Sequence, residues 1–293
     1  MSATTAADGP RVRASSVMHI YRTPDLEVVA LRGVDLQVGN GETVALLGPS
    51  GSGKSTLLTM LAGLIRPSAG MVEVAGQDLT KLTERGLLAF RRAHVGILLQ
   101  SPSRNLLPYA TVRENVQFAR RGARGGRTAG RRRDHDLLDA VGLADKAGNR
   151  ASQLSGGEQQ RLALAVSLAN DPAVLLADEP TSQLDHDTAD HVAALLRETR
   201  DRLGTTIVVV THDEELATTF DRAITMRDGR VGAEGLLGHS YAVVGRDGSV
   251  QLPGHLSALF PPGTLVEVQP TPHGVELRPR RTGSEPGHTP EGP

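Results

Sequence analysis

From Leu26 to Gly48 the chain reads LEVVALRGVDLQVGNGETVALLG, with apolar and polar positions alternating until Asn40-Gly41 breaks the run. A period of two predicts antiparallel strands, and the continuous stretch Thr43–Leu47 predicts a strand buried on both faces. A helix is expected from Lys54 to about Leu64, ended by a turn over Pro67 to Gly70. Residues 71–99 predict a strand, a polar helix and the apolar stretch HVGILLQ. Thr111 and Glu114 have the spacing of a capping box that opens a helix near Val112 to Ala119. Further helices are expected over Asp134–Val141, up to Asn170, around Thr188–Leu203 and from Glu214. Between them lie the strands AVLLAD and TTIVVVTH and the hairpin AITMRDGRV. Strand and helix alternate, which predicts an α/β fold with a mostly parallel sheet, closing near Val231. Residues 1–14 are small and polar, and 1–11 are assigned to a flexible lead-in.

Composition narrows the chemistry. The 293 residues suffice for one large domain and a small appendage, and with only 2% aromatics the core must be filled by Leu, Val, Ile and Ala. With 32 basic against 33 acidic residues, no global field favours nucleic acid. The absence of cysteine excludes disulfides and thiolate metal sites and fits a reducing compartment. No apolar run is long enough to cross a bilayer, and no secretory leader is expected at the N-terminus.

Two segments stand apart. RRGARGGRTAGRRR (Arg120–Arg133) is basic and of low complexity; it offers a nucleic-acid or lipid-headgroup contact or a solvated loop, and without aromatics for base stacking it is assigned as a loop. Residues 239–279 read as a separate β-rich module. YAVVGRDGSVQLP suggests two strands around Arg246-Asp247-Gly248, GHLSALF a short helix, and TLVEVQPTPHGVELRP a second hairpin. Its order resembles the swapped-hairpin, AbrB-like fold, implying dimerisation or regulation more than DNA binding, since basic residues are sparse. A β-extension packed on the main domain remains the alternative. Residues 280–293 form a Pro/Gly-rich tail expected to be disordered.

The strongest motif is GPSGSGKST: Gly48, Pro49, Ser50, Gly51, Ser52, Gly53, Lys54, Ser55 and Thr56. It fills G-x-x-x-x-G-K-[ST] between a strand and a helix, the context in which backbone amides wrap a β-phosphate. Lys54 supplies charge to the β- and γ-phosphates, and the Ser55 hydroxyl is a Mg²⁺ ligand. Asp178, at the end of the apolar strand, is placed to orient Mg²⁺, and Glu179 to act as general base on water. Solvated strand-end acids would look the same in isolation; the phosphate loop decides for chemistry. A second candidate anion site is LSGGEQQR, where Ser155 and Glu158 have capping-box spacing and Gly156 and Gly157 admit a close ligand.

These motifs, in this order over residues 12–231, resemble the nucleotide-binding subunits of ATP-binding-cassette (ABC) transporters. The resemblance implies a P-loop NTPase cassette: a mixed, mostly parallel sheet with an antiparallel β subdomain and an α-helical subdomain, here followed by the small C-terminal β module. It implies ATP and Mg²⁺ as ligands and ATP hydrolysis as the reaction. It further implies a homodimer in which LSGGEQQ, similar to the family signature, contacts the γ-phosphate held by the other chain. Ser155, Gly156, Gly157 and Glu158 would then act in trans. Gln100 resembles the loop glutamine that senses Mg²⁺ or water and couples to the membrane subunit. His212 resembles the switch histidine that contacts the γ-phosphate and aligns water with Glu179. Asp185 matches the loop touching the opposite subunit, with Gln183 where a small residue or Asn is commoner. Tyr21 is placed where the family stacks an aromatic ring on adenine; an ordinary packed Tyr is the alternative.

ADEPTSQLD, THD and MRDGRV are similar to the branch serving lipoprotein-release, macrolide-export and division-associated permeases. The implied partners are integral membrane permease subunits, and the implied location is the inner face of the cell membrane. SPSRNLLPYATVRENV after Gln100 departs from the aromatic residue that often follows this glutamine. The rival readings are a soluble ABC ATPase with a non-transport role and a regulatory module in which the ATPase is a switch.

Overall fold

A computed structural model describes residues 9–24, 26–121, 127–182, 184–236, 239–244, 248, 250, 260, 264–272 and 274–279. In chain order its first half contains β1 (Val12–Thr23), β2 (Leu26–Val38), β3 (Thr43–Leu47), α1 (Lys54–Leu61), β4 (Ala69–Val74), β5 (Gln77–Asp78), α2 (Glu84–His94), β6 (Val95–Leu98) and α3 (Val112–Arg120). Then come α4 (Arg127–Ala140), α5 (Gly156–Leu168), β7 (Val174–Asp178), α6 (His186–Leu203), β8 (Thr206–Val210), α7 (Glu214–Thr218), β9 (Arg222–Arg227), β10 (Arg230–Leu236), β11 (His239–Ala242), β12 (Val266–Thr271) and β13 (Gly274–Pro279).

The central sheet has the order β11-β10-β9-β3-β8-β7-β6, parallel from β9 to β6 and antiparallel at the β10 and β11 edge. Its middle strands β3, β8 and β7 are mostly apolar and almost wholly buried because both faces are covered. Alternate residues feed two cores. Val174, Leu176, Val208 and Val210 join one with α1 and the antiparallel strands; Leu175, Ala177, Ile207 and Val209 join the other with α3, α5 and α6. A second, antiparallel sheet has the order β2-β1-β4-β5. Asn40-Gly41 is therefore more than a hairpin turn: it passes the chain from one sheet to another.

Three departures from the sequence reading have physical causes. The N-terminal lead-in is shorter than 1–14, since Val12 is fully buried in β1 and pairs with both Val38 and Val74. The basic segment assigned as a loop is helical from Arg127 onward, consistent with the good helix propensity of arginine; residues 122–126 lie outside the described residues. The sheet also runs past Val231: β10 continues to Leu236, and β11 pairs antiparallel with it.

The expected first C-terminal hairpin is described only at a Val244–Val250 bridge, and GHLSALF falls outside the described residues except Phe260. The second hairpin is present as β12–β13. Its register sets Val266 opposite Pro279, Val268 opposite Leu277 and Pro270 opposite Val275 on one face, with Glu267, Gln269, Glu276 and Arg278 on the other. The tail beyond Pro279 lies outside the described residues, as do residues 1–8.

Candidate functional site

The loop from β3 to α1 is shaped by its glycines. A Cβ on Gly48 would lie 2.1 Å from the Met226 carbonyl oxygen, and one on Gly53 2.6 Å from that of Ala30. Both also have positive φ, at 140° and 95°. Gly53 is the N-cap of α1, and no side chain caps that helix, so its first-turn amides remain available to a ligand. The β9–β10 turn holds the loop from outside: Gly229 N–H donates to the Ser52 carbonyl at 3.2 Å, while the Gly229 carbonyl accepts from Arg32 N–H at 2.8 Å.

Three parallel strands end at this loop. Lys54 is buried, its ammonium donating to the carbonyls of Gly48 at 2.7 Å and Pro49 at 2.9 Å. Burial lowers its pKa, opposed by the nearby carboxylates of Glu179 and Asp178. Asp178, at the end of β7, is buried and hydrogen-bonded to the Ser55 side chain; desolvation raises its pKa against that bond. The next residue, Glu179, pairs with His212 Nδ1 at 2.9 Å, and the hydrogen bond to Glu179 raises the imidazole pKa. Glu179 adopts a left-handed φ of 52°, strained for a residue with a Cβ. Its N–H donates to Val210 O at 2.8 Å, fixing the end of β7 against the end of β8.

Other predicted residues sit around this centre. Leu98 is registered with Ala177, so Gln100 leaves β6 at the level where Glu179 leaves β7; Gln100 is exposed. The Tyr21 hydroxyl lies 3.3 Å from Thr56 Oγ1, and its half-exposed ring meets His19 edge-on at 4.5 Å. Asp185 caps α6, accepting from Thr188 N–H at 2.9 Å, and that bond lowers its pKa. Gln183 lies outside the described residues.

The donor set fits a nucleotide with Mg²⁺. The Ser55 hydroxyl and Asp178 carboxylate offer two hard oxygens side by side, as expected where phosphates and water complete the coordination. A Cβ at Gly51 would meet nothing within 4 Å, so the loop is open on that side.

LSGGEQQR is not part of this cluster. Ser155 caps α5, accepting from Glu158 N–H at 3.3 Å, while Glu158 accepts from Ser155 N–H at 2.8 Å and pairs with Lys146. The pairing with Lys146 lowers the Glu158 pKa. Gly156 and Gly157 form the first turn of α5. That helix packs on β6, α3 and α4 and roots in the second core, whereas Leu57, Leu58, Met60 and Leu61 of α1 root in the first.

A family model described as ABC transporter matches residues 31–182, just over half of the chain. The chain belongs to the ABC transporter family. As a cassette of this family it is an ATPase, with ATP and Mg²⁺ as its ligands. It is 46% identical over 228 residues to the lipoprotein-releasing system ATP-binding protein LolD of Anaeromyxobacter dehalogenans, covering 77% of this chain and 94% of that one. To LolD 1 of Caulobacter vibrioides it is 41% identical over 221 residues, covering 75% and 94%. Among solved structures, the dimeric post-hydrolysis state of the ATP-binding cassette MJ0796 bound to ADP and Pi matches with a TM-score of 0.71 at 37% identity. That match covers 77% of this chain and 98% of that one.

Sequence reasoning missed two contributors to the cassette's site. Gly229 buttresses the phosphate loop from a hairpin 180 residues downstream in rough terms, a contact that no local pattern announces. Gln160 is 1% exposed and donates from Nε2 to the carbonyls of Glu179 at 3.3 Å and Pro180 at 3.2 Å. The available signal was a polar residue four positions before Leu164, on a face of α5 that is otherwise buried.

Proposed function

We propose that this cassette powers a transporter as a head-to-tail homodimer beneath separate integral membrane permease subunits, on the inner face of the cell membrane. One observation carries the reading. The chain holds two glycine-bearing helix starts suited to phosphate, rooted in separate cores; the one at α1 is uncapped by any side chain and has its own chemical cluster, while the one at α5 is capped by Ser155 and Glu158 and stands apart from that cluster. The start of α5 then has a use if it meets nucleotide held by a second chain.

In this reading Gly48 to Thr56 hold the phosphates and Tyr21 stacks on adenine, with Lys54 bringing its charge to the β- and γ-phosphates. Ser55, Asp178 and Gln100 hold Mg²⁺, which when bound neutralises charge developing on the phosphates. Glu179 takes a proton from water, and His212, bonded to it, keeps that carboxylate turned toward the phosphate. Ser155, Gly156, Gly157 and Glu158 complete the site from the partner, and Asp185 lies at the contact between chains. Closing the dimer assembles both sites; reopening after hydrolysis moves the permeases. The ATPase domain, read from the sequence as 12–231, carries its sheet on through β10 and β11, and the residues after Ala242 up to 279 supply an appended β module. The names of the LolD relatives favour a lipoprotein-releasing type of system.

The test is the molar mass of Glu179→Gln by light scattering, with and without Mg-ATP, for the full chain and for residues 1–242, which keep β10 and β11 whole. ATP-dependent dimerisation of the shorter chain supports the composite site. An ATP-insensitive mass in both forms argues against it, and a full chain that is dimeric without ATP assigns assembly to the appended module. Co-purification with a membrane protein separates transport from a soluble, regulatory ATPase.

A further inference from the structure

The buried amide of Gln160 connects two sites that this reading treats separately. Its Nε2 donates to the carbonyls of both Glu179 and Pro180. The same Glu179 carbonyl accepts from Ser182 Oγ at 3.2 Å, and the Glu179 N–H is held by Val210. The left-handed peptide at Glu179 is thus fixed from three sides, by β8, by the turn after β7 and by α5. A strained conformation persists only where its surroundings over-determine it. Gln160 is the contribution from α5, and it sits one and a half turns from Ser155, at the start of the same rigid helix.

The geometry of the amide shows what is retained. Gln160 Oε1 is buried without a hydrogen-bond partner in the described residues, a cost that an apolar side chain of the same size would avoid. The side chain is therefore kept for its donors. Reversing the amide would set oxygen against two carbonyl oxygens, so the assignment of Nε2 follows from the network.

We propose that Gln160 is a positioning residue that links engagement of the α5 start at one ATP site to the setting of Glu179 at the other. The link rests on the dimeric reading above. When Ser155, Gly156 and Gly157 of one chain close on the partner's nucleotide, α5 moves as a unit. Gln160 carries that motion to the Glu179–Pro180 peptide, and so to the carboxylate serving its own chain's nucleotide. A dimer with one site engaged would then set the base at the other, which makes hydrolysis cooperative without any contact between the two nucleotides.

The experiment uses the full chain with Gln160→Met, which keeps length and helix propensity but removes the donor. Turnover is expected to fall roughly 10- to 100-fold, as misplaced catalytic groups typically cost. Affinity for ATP should stay within about twofold, because the phosphate loop is untouched. The Hill coefficient for ATP should drop from about 2 toward 1 if the two sites are coupled through this amide. Without nucleotide, amide hydrogen exchange over Glu179–Ser182 should quicken while that of β3 is unchanged.

Combining Ser155→Ala with Gln160→Met should give less than the product of the two single effects, since both act along one path. An unfolding midpoint and ATP affinity of Gln160→Met close to those of the parent guard against a folding artefact, while Gln160→Glu, which sets a carboxylate against two carbonyls, should lose at least as much turnover. Unchanged turnover in either variant, equal loss of affinity and turnover, or strict additivity with Ser155→Ala would overturn the proposal. If Glu179→Gln still hydrolyses ATP at the parental rate, the assignment of the base fails instead, whatever Gln160 does.

Discussion

The starts of α1 and α5 are both glycine-bearing and both suited to phosphate, yet they are built in opposite ways. At α1 the cap is Gly53, with no side chain over the amides, and the supporting atoms come from β2 and β9 and the β9–β10 turn. At α5 the cap is a closed exchange between Ser155 and Glu158, reinforced by Lys146. The first is held open by tertiary packing and awaits a ligand. The second is satisfied locally, so it forms as a stable helix end without nucleotide and must give up or share the Ser155 hydroxyl when one arrives. A site completed within one chain can be left bare; one completed between chains has to remain stable alone.

That contrast breaks first at the chemistry. Glu179→Gln should lower phosphate release about 1,000-fold, within the range for loss of a general base, while ATP is still bound. Parental rates in a single-turnover assay would remove Glu179 from the role of base.

The glycines give the next largest effect. Gly53→Ala drives a Cβ into the Ala30 carbonyl at a φ of 95° and should cost about 3 kcal/mol or more in urea unfolding. Gly51→Ala meets no atom within 4 Å and should cost only about 1–2 kcal/mol, from its positive φ alone. Equal losses would mean that packing does not hold the loop.

Smaller still, Tyr21→Ala should weaken ATP binding by about 1–2 kcal/mol if the ring stacks on adenine, with Tyr21→Phe nearly unchanged. A titration with a fluorescent ATP analogue decides, and equal loss in Tyr21→Phe would shift the role to the hydroxyl contact with Thr56. Last, Ser155→Ala should cost about 1 kcal/mol of stability through the lost cap. Its turnover should fall by more than that instability explains, whereas a purely structural cap would leave kcat alone.

Much of the site was legible because its parts are local: a loop between a strand and a helix, an acid pair ending an apolar strand, a histidine ending another. The alternation of strand and helix carried the parallel sheet. Three things were not legible. Val38 and Thr43 belong to different sheets although five residues apart, because period two reports burial and not pairing partner. Arg127–Arg133 continues a helix despite its glycine and low complexity, since the arginines are good helix formers and the segment is continuous with the turns anchored at Asp134 and Leu138. Gln160 was hidden because its value depends on two carbonyls at the end of a strand that only the tertiary fold brings near.

The clasp at Gly229 has a consequence for the order of events during synthesis. The phosphate loop leaves the ribosome early, but Met226, Gly229 and the strands β8 and β9 that frame it are made much later. A nascent chain that stops before Arg222 has the motif but not the vessel. Competence to hold ATP thus arrives near the end of translation of the cassette, when a ribosome-bound fragment and the finished cassette differ by little more than β9 and the edge strands beside it.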